Sequence, residues 1–170
     1  MTVEDIAIQF LATLFGVLIG IPAAFWIDRK ITKGHDKERA ISILTALKEE
    51  ITRNLALLKQ IQTELSQYTN MIFYDIDTNT WRAVSLEDFE GIINNEVLRH
   101  IYRIYYEYEH LNRKIDAQFS MHYSVVRESK TYLEERRQIV GAILQHAIPL
   151  EKETDQLIQD IQKEIERLNK

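Results

Sequence analysis

The chain opens with a long run of apolar positions that charge does not interrupt. No ionisable side chain occurs from Ile6 to Ile27. A helix of about 22 residues, rising about 1.5 Å per residue, is about 33 Å long and can cross a hydrocarbon core of about 30 Å. Glu4 and Asp5 precede the run, whereas a cleaved signal peptide carries basic residues there. We therefore expect a transmembrane segment, residues 1–27, rather than a signal peptide or the buried helix of a soluble protein.

Basic residues follow the apolar run and predict its orientation. They are Arg29, Lys30, Lys33, Lys37 and Arg39. Positively charged flanks stay on the cytoplasmic side of a bilayer, so this junction, residues 28–39, is expected at the inner surface and the N-terminus outside. The prediction is a single-pass protein of the cell inner membrane whose C-terminal part, residues 40–170, is cytoplasmic.

The apolar run has two different faces in a helical projection. Small residues recur at every fourth position, at Ala12, Gly16, Gly20 and Ala24, a spacing that lets helix backbones approach closely. Bulky side chains occupy the opposite face, where lipid is the expected neighbour. We expect the small residues to pack transmembrane helices into a homo-oligomer; chance recurrence of common residues is the alternative.

Gln9 and Thr13 fall in the same arc as the small residues, and two interpretations stay open for them. They hydrogen-bond between the helices of a closed bundle, or they line a narrow pore in a larger oligomer. No Asp, Glu, Lys or Arg lies inside the run to form a charged selectivity ring, which favours the closed bundle.

Beyond the junction, apolar residues recur at intervals of three and four and predict long amphipathic helices. These cover about residues 36–68, 95–122 and 129–168, with a loop over residues 69–86 and a short helix capped by Ser85 and Asp88. The last stripe keeps its phase across Pro149, so one kinked helix is favoured and a break stays open. The expected fold is all-α: one N-terminal transmembrane helix, then an elongated antiparallel bundle of long helices joined by short connections.

Two asparagines stand within the predicted apolar stripes, Asn54 in the first bundle helix and Asn112 in the second. A buried amide costs stability unless it is hydrogen-bonded, and buried asparagine can fix the register of neighbouring helices. We interpret both as register-setting polar residues. Alternatively, each lies at the edge of its stripe in contact with water.

Composition supports the helical prediction and removes several function classes. Five glycines and two prolines leave few turns for β or alternating α/β folds. The absence of cysteine excludes disulfides and thiolate metal sites. A net charge of −5 gives no overall footprint for double-stranded nucleic acid.

Sequence motifs for catalysis are missing. The chain contains no phosphate-binding glycine motif, no H-E-x-x-H and no G-x-S-x-G, the patterns that mark nucleotide, zinc and serine chemistry. Glu107 and His110 form a single E-x-x-H, whereas a di-iron bundle needs two copies and further glutamates. We therefore expect no enzymatic activity, no bound metal and no cofactor.

One polar face of the second bundle helix is a candidate partner or ligand surface. Its residues are Arg99, Tyr102, Arg103, Tyr106, His110 and Arg113. Arginines interleaved with tyrosines can hold a phosphate and stack a base, or hold an acidic protein surface. The candidate partners are therefore a cytoplasmic protein or a nucleotide ligand. The alternative is structural: another helix covers the tyrosines while the arginines pair with Glu107 and Glu109.

The stretches LKEEITRNLALLKQ, TNTWRAV and YEYEHLNRKI resemble a loose pattern in uncharacterised small prokaryotic single-pass membrane proteins with a helical cytoplasmic domain. The resemblance covers about Ile6 to Ile115. Because some proteins of that kind accompany antiviral systems and act on the membrane, the resemblance implies a role in defence. It carries over no catalytic residue.

Two function classes follow from these observations. The first is a membrane-anchored, self-associating, non-enzymatic interaction or scaffold protein, whose partners are the lipid bilayer, further copies of itself and a cytoplasmic ligand. The second is an oligomeric channel or membrane-permeabilising effector that its cytoplasmic domain gates.

Overall fold

The computed structural model of the chain is all-helical in the part that it describes. It describes the backbone of residues 3–66, 75–85, 88–89, 91–123 and 130–170, and the side chains of residues 26, 32, 34–66, 75–85, 88–89, 91–120 and 134–170. The helices are α1 (Val3–Leu65), α2 (Asn79–Ala83), α3 (Asn95–Tyr123) and α4 (Lys130–Leu168). The chain divides into two compact units, Met1–Arg39 and Ala40–Lys170.

The first unit is helical from Val3 onward as the beginning of α1. The residues predicted to pack transmembrane helices or to line a pore lie outside the described side chains; they are Gln9, Ala12, Thr13, Gly16, Gly20 and Ala24. Within the part of the chain that the structure describes, no helix is both long enough and apolar enough to cross a membrane.

The second unit is a helical bundle with its own apolar core. The core residues repeat at helical spacing on α1, α3 and α4, as the periodicity predicts; they include Leu44, Leu47, Ile51, Leu58, Ile61, Ile101, Ile104, Tyr105, Tyr108, Leu111, Val140, Ile143, Ala147, Leu157 and Ile161. An amphipathic helix gains most of its stability by covering such a stripe. The all-helical bundle is therefore confirmed.

Helix α4 runs antiparallel to α1 within this unit. Lys48 Nζ donates to Gln162 Oε1 at 2.7 Å, and Gln62 Nε2 donates to Glu151 Oε2 at 2.7 Å. Residue numbers thus rise along α1 while those of the partners fall along α4. This pair follows the predicted antiparallel arrangement.

Helix α4 also runs antiparallel to α3. His100 Nδ1 lies 3.1 Å from Asp160 Oδ2, and Lys114 Nζ lies 2.8 Å from His146 Nδ1. Since α4 is antiparallel to both of the other long helices, α1 and α3 point in the same direction. A short turn cannot join parallel helices, so the expectation of a short connection is wrong between α1 and α3: the chain returns along the bundle between Leu65 and Asn95, and most of the described part of this connection is residues 75–85.

Asn54 and Asn112 hold this returning connection from both sides. Asn112 Oδ1 accepts from the Ile76 N–H at 2.8 Å and its Nδ2 donates to the Ile76 carbonyl at 2.9 Å. Asn54 makes the same pair of bonds to Asp77, the residue after Ile76: its Oδ1 accepts from the Asp77 N–H at 3.0 Å and its Nδ2 donates to the Asp77 carbonyl at 2.6 Å. Both amides therefore bond the backbone of the connection rather than a facing helix.

The predicted loop over residues 69–86 contains the short helix α2. Trp81 on α2 stacks on Tyr105 with ring centroids 5.1 Å apart and contacts the edge of Tyr102 at 4.7 Å. These aromatic contacts hold α2 against α3, although its five residues are too few to be a stable helix alone.

The predicted boundaries of the two later helices are confirmed. Gly91 has φ of 71°, a conformation that favours glycine, and it separates the segment after Ser85 from α3. Asn94 Oδ1 accepts from the Glu96 N–H at 2.8 Å, the usual bond of an N-cap residue. Pro149 lies inside α4, so the break that stayed open at this proline does not occur.

Candidate functional site

The six residues of the candidate face do not form one surface. Arg99 and Arg103 line one cavity, Tyr106 and His110 line another, and the edge of Tyr102 meets Trp81 of α2. Arg113 is exposed and lines neither of these cavities. A helical projection cannot predict this division, because α2 and α4 cover different parts of the same face.

The first cavity lies between the start of α3 and the end of α4 and has a volume of about 610 Å³, within the range of small-molecule sites. It is lined by Asn94, Glu96, Val97, Arg99, His100, Arg103, Asp160, Lys163, Glu164 and Arg167. Basic and acidic side chains therefore line the same cavity. Which of them pair with each other determines which charged groups are accessible to a ligand.

Glu164 is the most enclosed of the acidic residues that line this cavity, with 4% of its side chain exposed. It accepts hydrogen bonds from Nη2 and Nε of Arg167 at 2.7 and 2.8 Å, and from the Asn94 N–H at 2.7 Å. The bonds from Arg167 hold the pKa of the Glu164 carboxyl below its usual value, assisted by Asn94 and against the opposing effect of burial. Arg167 also donates to the Ile92 carbonyl at 2.8 Å, so this cluster fastens the end of α4 to the start of α3.

The other charged pairs of this cavity are looser. Asp160 contacts His100 and accepts from Gln156 Nε2 at 2.9 Å, while Lys163 stands 3.9 Å from it. Arg103 lies 3.3 Å from Glu153, with both side chains largely in water. Exposed pairs of this kind contribute little to stability, so their cations are accessible to a ligand.

The second cavity also lies between α3 and α4, has a volume of about 470 Å³, and is lined by Tyr106, Glu107, His110, Lys114, Ala142, Gln145, His146 and Pro149. His110 Nε2 is 3.1 Å from the Tyr106 hydroxyl. Pro149 has no N–H to give to the carbonyl of Gln145 one turn earlier. The wall of this cavity is thus rich in side chains that can accept or donate a proton.

His146 is the central titratable group of the second cavity. Lys114 Nζ lies 2.8 Å from its Nδ1, and an ammonium group can only donate there if Nδ1 carries no proton. The ring proton then sits on Nε2, which is 2.8 Å from Oε2 of Glu107 without the alignment of a hydrogen bond. Burial and the charge of Lys114 lower the pKa of His146, while Glu107 opposes the shift. The imidazole is therefore held neutral.

The structure adds a buried polar group that the sequence analysis missed. Glu50 is fully buried; its Oε1 accepts from the Tyr105 hydroxyl and its Oε2 from the Thr80 N–H, both at 2.6 Å. Thr154 is equally buried and lies 3.1 Å from the Tyr108 hydroxyl. The sequence contained one signal for this burial. Glu50 lies at helical spacing on the same stripe as Leu47 and Asn54, although a charged residue normally indicates a surface position.

No group of three or more potential metal-ligating side chains is found among the described residues. Comparison of the chain with protein-family models, with curated proteins and with solved structures gives no match in any of the three. The function must therefore be argued from the chain's own residues.

Proposed function

We propose that the chain is a membrane-anchored, self-associating interaction protein without enzymatic activity. In this proposal Ile6–Ile27 spans the cell inner membrane with the N-terminus outside, and the bundle faces the cytoplasm. The observation that carries the proposal is the combination of an uncharged run long enough to cross a bilayer with a separate unit, Ala40–Lys170, that has its own apolar core.

The bundle supplies the interaction function in this proposal. Its polar clusters are occupied in joining helices: Glu164 and Arg167 bind the start of α3, and Lys114 binds His146 across two helices. Groups engaged in this way hold the walls of the cavities in place. This supports a binding module rather than a catalyst, because charged and titratable groups of both cavities are engaged in holding the helices together.

The decisive experiment replaces Gly16 and Gly20 together by isoleucine and measures the mass of the full chain in detergent. Because a β-branched side chain prevents close helix approach, we expect a smaller oligomer. The matched control carries Val17→Ile and Leu18→Ile and should keep the parent mass. An unchanged oligomer in the glycine variant would refute self-association through this face.

A channel or membrane-permeabilising effector is the second candidate, and Gln9 and Thr13 on the small face favour it. If these side chains line a wet pore, the purified oligomer conducts in planar bilayers and Gln9→Leu with Thr13→Val reduces the conductance. If they bond in a closed bundle, the parent protein is silent and the double variant loses oligomer stability instead. A role in antiviral defence belongs to this second candidate.

A further inference from the structure

We propose that the cavity between the start of α3 and the end of α4 binds a soluble phosphate ester, held by Arg99, Arg103 and Lys163. This inference deepens the binding role proposed for the bundle and does not depend on membrane anchoring. All three cations line the cavity and all three side chains are exposed. They are therefore within reach of a ligand that enters from water.

Arg99 and Arg103 form the anion-binding edge of this cavity. They are four residues apart on α3, so they lie on the same side of successive helical turns. Among the described residues Arg99 has no ion-pair partner, and Arg103 has only the half-buried Glu153 at 3.3 Å. Guanidinium groups bind phosphate oxygens in a bidentate manner, and two of them on one edge suit a ligand with more than one phosphate.

Two carboxylates of the wall are bonded by neighbours other than Arg99 and Arg103. Glu164 is bonded by Arg167 and by the Asn94 N–H, and Asp160 is contacted by His100 and Gln156. Neither of these acids pairs with Arg99 or Arg103, and the one ion-pair partner of Arg103 among the described residues is Glu153, which does not line the cavity. Lys163, on α4, is 3.9 Å from Asp160, a separation at which an exposed lysine is easily drawn to a second anion.

Glu96 is the exception, because its exposed carboxylate lines the cavity and has no hydrogen-bond or ion-pair partner among the described residues. Its negative charge opposes an anion at the same site. The proposal therefore predicts effects of opposite sign at neighbouring positions: removing the arginines weakens binding, and removing the charge of Glu96 strengthens it.

The size of the cavity narrows the ligand class. A volume of about 610 Å³ is far larger than an inorganic phosphate needs and lies in the range for molecules of nucleotide size. Among the described residues that line the cavity there is no Phe, Tyr or Trp, and the ring of His100 is largely buried beside Asp160, so stacking is not expected to select a base. Recognition is then expected to depend on the phosphates rather than on the group that carries them.

The test is calorimetric titration of the full chain in detergent with ATP, pyrophosphate and adenosine. We expect ATP and pyrophosphate to bind and adenosine not to bind. Arg99→Gln and Arg103→Gln should each weaken ATP binding by about tenfold, the usual size of one charge-assisted contact, and Glu96→Gln should strengthen it. Arg113→Gln, on the same helix and outside both cavities, is the matched control and should change nothing.

Each alternative result overturns the inference. Absence of binding by ATP and pyrophosphate removes the site; adenosine binding as tightly as ATP removes the phosphate as the recognised group. Equal weakening by Arg99→Gln and Arg113→Gln assigns the effect to general surface charge. Thermal melts of every variant verify folding, since the replaced side chains are exposed. The variant with Gly16 and Gly20 replaced should bind ATP normally, which separates this test from that of self-association.

Discussion

The hydroxyl of Tyr105 on α3 donates a 2.6 Å hydrogen bond to Oε1 of Glu50 on α1, and both residues are buried. The second carboxylate oxygen accepts the Thr80 N–H at the beginning of α2. Burial, followed by the bond to Glu50, raises the pKa of Tyr105, so the hydroxyl keeps its proton and remains a donor. One carboxylate thus joins three helices.

Removing this carboxylate should destabilise the bundle more than removing the hydroxyl. Glu50→Ala leaves the buried Tyr105 hydroxyl and the half-buried Thr80 N–H without an acceptor, and we expect a loss of about 3 kcal/mol in the free energy of unfolding. Tyr105→Phe leaves a carboxylate that still accepts from Thr80, and the expected loss is about 1–2 kcal/mol. Urea unfolding followed by circular dichroism measures both.

Tyr106→Phe is the matched control, because this neighbouring tyrosine is 58% exposed. Its replacement should change the free energy of unfolding by less than about 0.5 kcal/mol. Equal losses for Tyr105→Phe and Tyr106→Phe would mean that the buried bond to Glu50 does not stabilise the fold.

The asparagine pair should control the returning connection at single-residue resolution. Asn112→Ala removes the acceptor of the Ile76 N–H, and Asn54→Ala removes that of the Asp77 N–H. Amide hydrogen exchange should therefore accelerate at Ile76 in the first variant and at Asp77 in the second. Asn112→Asp keeps an acceptor and should protect Ile76 better than Asn112→Ala does.

The control for this pair is Thr52→Ala, because the exposed hydroxyl of Thr52 donates to the Lys48 carbonyl on the same helix. It should leave exchange at Ile76 and Asp77 unchanged. Equal acceleration at both amides in every variant would indicate general loosening of the bundle. It would contradict the assignment of Ile76 to Asn112 and of Asp77 to Asn54.

The long helices could be predicted because their signal is local. A stripe such as Leu44, Leu47, Ile51 repeats at helical spacing, and its burial requires only that some partner exists. The parallel direction of α1 and α3 could not be predicted in this way. It depends on how the chain connects α1 to α3, and the mixture of apolar and polar residues between these helices follows no regular period that would indicate a direction.

The candidate face shows the same limit at the level of single residues. A helical projection puts Arg99 and His110 on one side of α3, but it contains no information about the neighbouring helices. His146 and Lys163 come from α4, far away in sequence, and they divide that side into two cavities. Glu50 was missed because a carboxylate in an apolar stripe is buried only when donors such as Tyr105 and Thr80 are supplied by other elements.

Acidification should weaken the bundle through His146. Its pKa is lowered in the folded chain from the ordinary 6.5, so the unfolded chain binds the proton more readily. The stability that the neutral imidazole contributes is fully present above pH 6.5 and is lost as the pH falls below 6.5. Glu107, His110 and Lys114 face the ring from α3, and a second cation beside Lys114 is the unfavourable result of protonation.

This dependence is measured by urea unfolding between pH 7.5 and pH 5. His146→Gln should flatten the decline, whereas replacement of the exposed His35 by glutamine should leave it unchanged. If the His146→Gln chain loses stability over this interval as steeply as the parent, the neutral imidazole is not the cause.

The bonds between Glu164 and Arg167 should stabilise the bundle at neutral pH and much less in acid. The pKa of Glu164 is lowered in the folded state from 4.5, so its contribution is present above 4.5 and is lost as the pH falls through the folded value. Arg167→Met should cost about 1–2 kcal/mol at pH 7, a figure reduced for the exposure of the arginine. The difference from the parent should shrink below pH 4.5. Arg137→Met, also exposed on α4, should give no difference at either pH.

The absence of cysteine makes the proposed membrane orientation directly testable. Thr2→Cys and Lys170→Cys each introduce one thiol, at opposite ends of the chain, into an otherwise thiol-free protein. If the basic junction holds its flank in the cytoplasm, a membrane-impermeant maleimide labels Thr2→Cys in intact spheroplasts and labels Lys170→Cys only after lysis. Labelling of Lys170→Cys in intact spheroplasts would contradict the proposed orientation, because it would place the C-terminus outside. Recovery of the full chain in the fraction released by alkaline washing would exclude the anchor itself, because a helix that spans the bilayer resists such extraction.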